Sequence, residues 1–227
     1  DKVIFLSKTY RSFVIEKHIP NKLKKGILVK SKIIPNGIDD FWLRNKGTSK
    51  SLNNQKKMNI LTVGLISRRK NQLTTTKAIR LLQKKGYKIK YTVVGKIKDR
   101  KIYRQIKDLP YVQYIPHTSK RELLDIYREN DIFVMPSLTE TFGLVYAEAM
   151  SQGLPVIYTR GQGFDGQFKE GEVGYSVDAM CAEEIASKII TVSNDYNNIS
   201  ERCINYVNKF NWCEIRSEYE KIYGSIK

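Results

Sequence analysis

The feature that most limits what this chain can fold into is its punctuation. From Asn59 onward, short apolar runs alternate with stretches of helical spacing, and Gly or Pro closes most of the runs. Residues 60–63 close at Gly64, 89–94 at Gly95, 112–115 at Pro116 and 131–135 at Pro136, and further runs occupy 155–158 and 174–177. Between them the spacing predicts helices over 72–85, 99–107, 119–130 and 142–152, with helices filling most of 182–226. Strands that are apolar throughout, separated by helices, specify a parallel sheet covered on both faces. The expected class is therefore α/β, a doubly wound Rossmann-like sheet. Such sheets bind ligands beyond the carboxyl ends of their strands. That places the candidate site in the loops after Gly64, Gly95, Ile115, Met135 and Tyr158.

Ahead of this region, an apolar run at 3–6 precedes Ser7, a suitable helix cap, and a helical stretch to about Lys17. Residues 33–37 read as a strand ending in a turn, and 44–57 as a linker with Leu52 its one large apolar residue. Hydrophobic residues make up 41% of the chain, which excludes disorder for the whole. No apolar run approaches the roughly 18–20 residues needed to cross a bilayer. Three cysteines without metal-ligand spacing argue against a disulfide scaffold and for a reducing, cytoplasmic setting. The formal charge of +17 is uneven: residues 1–57 carry +10, residues 58–130 carry +13 and residues 131–227 carry −6. A basic first half fits a nucleic acid, an anionic membrane or a phosphorylated substrate as partner, or simply solvated helix faces.

The loop after the first strand of the regular region carries Arg68, Arg69 and Lys70 just before a helix, a setting suited to a phosphate or diphosphate. The loop after the 131–135 run leads through Glu140, Thr141, Phe142, Gly143 and Leu144 to Glu148. If the whole span were helical, the two carboxylates would lie ~12 Å apart along the axis. That is too far for an acid–base pair of the kind that cleaves glycosides, but suits the two ends of one extended ligand. Between them, the amides of residues 141–144 would open a helix toward an anion, and Gly143 leaves room for close approach. Gly161-Gln162-Gly163-Phe164-Asp165-Gly166 matches the dinucleotide fingerprint by letter, yet no helix follows, so a nicotinamide cofactor is not expected. His117 stands at the same sheet edge. No HExxH, CxxC or Asp-x-Asp set is present, and no metal or cofactor is expected.

Five segments then fall in a familiar order: IIPNGID (33–39), ILTVGLISRRKN (60–71), ELLDIYRENDIFVMPS (122–137), ETFGLVYAEAMSQGLPVI (140–157) and GEVGYSV (171–177). With the aromatic stretch from Trp212 to Tyr223, they make residues 33–227 resemble the donor-binding half of family-4 retaining glycosyltransferases, which have the GT-B fold. The resemblance implies that a sugar moves from a nucleotide diphosphate sugar, such as a UDP- or GDP-sugar, with retention at the anomeric carbon. Glu140 would contact the donor sugar, and the amides of Phe142, Gly143 and Leu144 would hold the diphosphate or sugar. Glu148 would take the ribose hydroxyls, and His117 would lie near the base. Gly64 and Lys70 match the family's loop, whereas Leu65 stands where the family has Arg, a charge that Arg68 or Arg69 would replace. A second departure is Gly166, where an acidic residue is common and Asp165 is the neighbour.

The resemblance also sets the expected domain organisation. Residues 1–32 would be the tail of an N-terminal acceptor domain, 33–57 an inter-domain connection and 58–227 the donor domain. The missing acceptor domain would be an obligatory partner, and a peripheral contact with an anionic membrane would use the remaining basic surface. Two other readings stay open: a degenerate fold serving as a non-catalytic interaction subunit, and a nucleic-acid module. The latter needs aromatics interleaved with cations on one face, which the sequence does not offer, so no nucleic acid is expected.

Overall fold

A computed structural model describes residues 1–224. The expected extension of the last helix to residue 226, and of the donor domain to 227, lies outside the described residues. The chain opens with β1 (Val3–Phe5), α1 (Lys8–His18), α2 (Asn21–Lys30) and β2 (Ser31–Ile33). The Ser7 hydroxyl accepts the Tyr10 N–H at 3.0 Å and starts α1 as expected. β1 and β2 pair in parallel, with Val3 opposite Ser31. The strand expected over 33–37 is displaced toward the N-terminus. Pro35 has no N–H to give a ladder, so pairing ends at Ile33 and the chain runs on extended. Sequence spacing gave no sign of α2, because its Leu23, Leu28 and Val29 stay exposed and make no buried stripe.

The larger unit runs α3 (Asp40–Arg44), β3 (Lys57–Val63), a 3₁₀ turn (Arg68–Lys70), α4 (Gln72–Lys84), β4 (Lys88–Val94), α5 (Arg100–Ile106), β5 (Val112–Ile115), α6 (Lys120–Glu129) and β6 (Ile132–Val134). It continues with α7 (Leu144–Ser151), β7 (Val156–Thr159), β8 (Gly174–Val177), α8 (Ala182–Asn194), α9 (Tyr196–Tyr206), a second 3₁₀ turn (Val207–Phe210) and α10 (Trp212–Gly224). The six strands form one parallel sheet in the order β5-β4-β3-β6-β7-β8. Every residue of β6 and β7 is buried, which explains why these strands carry no polar alternation. Strand order reverses between β3 and β6, so the loops leaving these two strands diverge and open a crevice.

Helix boundaries follow local chemistry. Ser119 and Glu122 form a reciprocal capping box at α6, which buries Leu124 and Tyr127. α4 buries Ala78, Ile79 and Leu82 and ends before Gly86, whose φ of 84° only glycine adopts freely. The helix expected from residue 142 begins two residues later, at Leu144. Gly143 takes a left-handed conformation (φ 82°) at its N-cap, and Phe142 turns inward against Phe210 at 5.7 Å between ring centroids. Burial of the Phe142 ring overrides its helical spacing.

Residues 33–57, expected to connect domains, are packed along the larger unit. Ile34, Ile38 and Trp42 are buried, and the Trp42 ring meets Tyr127 edge-on at 5.5 Å. The stretch 44–57 has one large apolar side chain, Leu52, which packs against the core, and its backbone is anchored. Gly47 N–H bonds Ser151 O at 2.9 Å, and Lys50 N–H bonds the Ser200 hydroxyl at 2.8 Å. Trp42→Ala removes a filled core position under this strap, and should cost about 3–5 kcal/mol in urea unfolding with the fold retained.

Candidate functional site

The crevice between β3 and β6 holds an ion pair whose two side chains are both nearly buried. The 3₁₀ turn after β3 ends in Lys70, whose side chain is 9% exposed and whose ammonium lies 2.5 Å from a Glu140 carboxylate oxygen. Arg69 stands 3.5 Å from the same oxygen and bonds Thr139 O at 3.1 Å. Burial lowers the Lys70 pKa, and the Glu140 charge opposes that shift. Gly64 lies directly beneath: a Cβ there would come 3.3 Å from the Lys70 side chain. Gly143 lies on the other side, where a Cβ would come 3.2 Å from the Glu140 stem. The structure thus brings together Gly64, Arg69, Lys70, Glu140 and Gly143.

Backbone contacts hold this group in place. Asn71, in a left-handed conformation (φ 58°), sends its amide protons to Pro136 O at 2.9 Å and Ala179 O at 2.6 Å. Leu138 N–H bonds Arg69 O at 2.8 Å. Glu140 is clamped from its other flank: its N–H donates to the Gln162 side-chain oxygen at 2.8 Å, and its carbonyl accepts the Gly163 N–H at 2.9 Å. Gly163 permits this approach, since a Cβ would stand 1.8 Å from Thr141 O. The letters that mimic a dinucleotide fingerprint therefore form a loop that braces Glu140. Among the described residues, no protein acceptor takes the backbone N–H of Thr141, Phe142 or Gly143. Unpartnered amides of this kind, in the segment that follows Glu140, can receive an anion. Phe142 contributes only its backbone, its ring being core.

Glu148 is not part of this contact. It sits half-buried on α7 and accepts the Tyr127 hydroxyl at 3.1 Å. The helical estimate of its separation from Glu140 lapses, because only residues 144–151 are helical. Desolvation raises its carboxyl pKa to about 7; the Tyr127 hydrogen bond and Lys120 act in the other direction. Lys120 ion-pairs with Asp39, the cap of α3, so the 33–39 segment reaches this corner. His117 is exposed and lines a cleft of ≈ 330 Å³ with Gly64, Leu65, Gly95 and Leu123. Leu144 and Arg68 are exposed at the rim. Sequence reading missed Gln162 and Asn71, which act through backbone contacts, and the Tyr127 hydroxyl that meets Glu148.

The folded Glu148 pKa lies above its ordinary value of 4.5, so the native state holds the extra proton between the two values. Stability should therefore fall as pH rises from about 4.5 to about 7, by about 3 kcal/mol. Urea midpoints across this range should show the loss in the parent chain, while Glu148→Gln should remove that component.

A family model described as glycosyl transferases group 1 matches residues 44–210. The D-inositol 3-phosphate glycosyltransferase of Corynebacterium glutamicum is 30% identical over 116 residues, which cover 50% of this chain and 28% of that protein. Sucrose-phosphate synthase from Thermosynechococcus elongatus superposes with a TM-score of 0.77 at 20% identity, over 100% of this chain and 58% of that one. Anabaena HepE, in complex with UDP and glucose, superposes with a TM-score of 0.74 at 17% identity, over 99% of this chain and 63% of that one. The chain thus spans less than two thirds of each of these proteins. The match over most of its length, together with the parallel six-stranded sheet, shows that the chain belongs to the glycosyl transferases group 1 family and has the architecture of the C-terminal Rossmann-like domain of a GT-B fold.

Proposed function

We propose that this chain is the donor-binding part of a retaining glycosyltransferase that moves a hexose-type sugar from a UDP- or GDP-sugar to a polysaccharide or glycolipid. The observation that carries this reading is the Lys70–Glu140 contact at the β3/β6 crevice, beside the free amides of residues 141–143. A nucleoside diphosphate leaves with developing negative charge, and prearranged cations and amides stabilise such charge. Lys70, Arg69 and these amides supply that stabilisation without need of a metal ion, and Arg68 adds charge at the rim. Glu140 would engage the donor sugar. The cleft with Gly64 and His117 would take the base, and Glu148 the ribose hydroxyls. The complex of HepE with UDP and glucose supports this donor class.

Turnover on this reading requires an N-terminal acceptor domain, with residues 1–32 as its tail and 33–57 as the connection. The basic surface before residue 131 fits a peripheral contact with the anionic cytoplasmic face of a membrane. Co-sedimentation with phosphatidylglycerol vesicles, but not with phosphatidylcholine vesicles, is the expected result. A non-catalytic interaction subunit is the second reading, favoured by Leu65 in place of the family's Arg.

Isothermal titration with UDP-, GDP- and ADP-sugars should show one nucleotide class binding; a folded chain that binds none would sink the proposal. In the two-domain enzyme, Glu140→Ala should lower kcat by roughly 10²–10³, and EDTA should leave the parent's turnover unchanged. Undiminished turnover in the variant would favour the non-catalytic reading.

A further inference from the structure

Beyond Leu65, on the side away from His117, lies a second and larger cleft of ≈ 630 Å³. It is formed by the loop after β3 and the loop after β4. Arg68, Arg69, Lys98, Arg100 and Lys101 line it, with Asp99 the one carboxylate. That carboxylate is already engaged, accepting the N–H groups of Lys101 and Ile102 at 2.9 and 3.2 Å. Among the described residues, the side chains of Arg68, Lys98, Arg100 and Lys101 make no ion pair; Arg69 alone has one, with Glu140.

These cations do not ride on independent surface loops. An isolated parallel bridge joins Ile66 to Ile97. Ile66 N–H bonds Lys96 O at 2.9 Å, and the N–H groups of Lys98 and Asp99 return to Ile66 O at 3.1 and 2.9 Å. The two loops form one stitched edge that holds like charges together before any ligand arrives. A concave wall with five cations against one carboxylate concentrates a positive field inside it and draws anions with closely spaced charges. Leu65 is 37% exposed and lines both clefts, so it is an apolar partition between them.

We propose that this cleft is a second anion site, which takes a di- or oligophosphate group other than the donor's diphosphate. Resting on the reading of the chain as a donor-binding domain, the ligand would be the phosphate-bearing part of the acceptor. Its cations would fix that group beside the crevice from which the sugar departs. Such a group comes either free in solution or on a lipid, and both present the same chemistry to these side chains.

The test uses the chain as it stands, with inorganic pyrophosphate as probe. In calorimetric titration, pyrophosphate should bind the parent chain in saturating UDP. The double variant Lys98→Glu/Lys101→Glu should lose at least about tenfold in that affinity, from the loss of two charge-assisted contacts, and keep its UDP affinity. Lys98→Gln/Lys101→Gln should show a smaller loss, and serves if charge reversal prevents folding as judged by circular dichroism. If pyrophosphate binding disappears once UDP saturates, or the variants bind it as the parent does, the site does not exist. If UDP itself fails to bind, the donor reading falls, and the cleft is still judged by parent against variants. Vesicles that carry a lipid-linked diphosphate, compared as competitors with plain phosphatidylglycerol vesicles, separate the sources: displacement of pyrophosphate by the former alone marks a lipid-borne diphosphate, and its absence a soluble one.

Discussion

The site is built around one buried amide. Asn71 sits where the chain leaves β3 for α4, and its side chain ties the carbonyls of Pro136 and Ala179, one from the loop after β6 and one from the loop after β8. Its own oxygen accepts the Thr74 hydroxyl at 2.7 Å, so every polar group of the side chain is used. A fully satisfied buried amide is a stringent geometric constraint, because any displacement leaves a desolvated group unpaired. The left-handed backbone at Asn71 turns the chain from the Arg68–Lys70 turn into α4. The same side chain fixes the distance across which Lys70 meets Glu140.

What could be read from the residues, and what could not, divides by the range of the interaction. The central strands β6 and β7 were legible because every residue in them is buried, and the other strands of the large sheet because apolar runs closed by Gly or Pro leave little choice of ladder. Ser7 and Ser119 were legible because capping acts within three residues. Lys70, Glu140 and Gly143 were legible through a family pattern that preserves spacing. Its letters did not reveal that Phe142 turns into the core and delays the helix. Gln162 and Asn71 were hidden because they act on backbone atoms of segments 22 or more residues away. α2 and the packing of 33–57 were hidden for another reason: one lacks a buried stripe, and the other depends on Ile34, Ile38 and Trp42 more than on its polar tail.

Charge was the most conspicuous feature of the composition and the least specific. In the fold it separates into groups with different surroundings. Lys70 is nearly buried and neutralised by a carboxylate. Lys50 is tied to the carbonyls of Arg128 and Asn130 and holds the strap. Arg202 spans Glu172 O, Gly171 O and Asp195, closing the turn before β8 onto α9. Of the cations that line the cleft beside Leu65, only Arg69 has such an engagement among the described residues, with Glu140 and Thr139 O. Sorting basic residues by what already neutralises them separates scaffold from surface more sharply than a net charge does.

The loop that braces Glu140 has a second neighbour. Gly166, three residues beyond the clamp at Gly163, lies so close to Thr9 at the start of α1 that a Cβ there would stand 2.5 Å from the Thr9 hydroxyl. The Gln167 side chain also bonds Leu6 O at 2.6 Å. One short span therefore touches the N-terminal unit at one end and the Glu140 backbone at the other. Mechanically it is a tie rod pinned at its middle by the buried Phe164 ring: it couples the start of α1 to the Glu140 backbone through a span of a few residues.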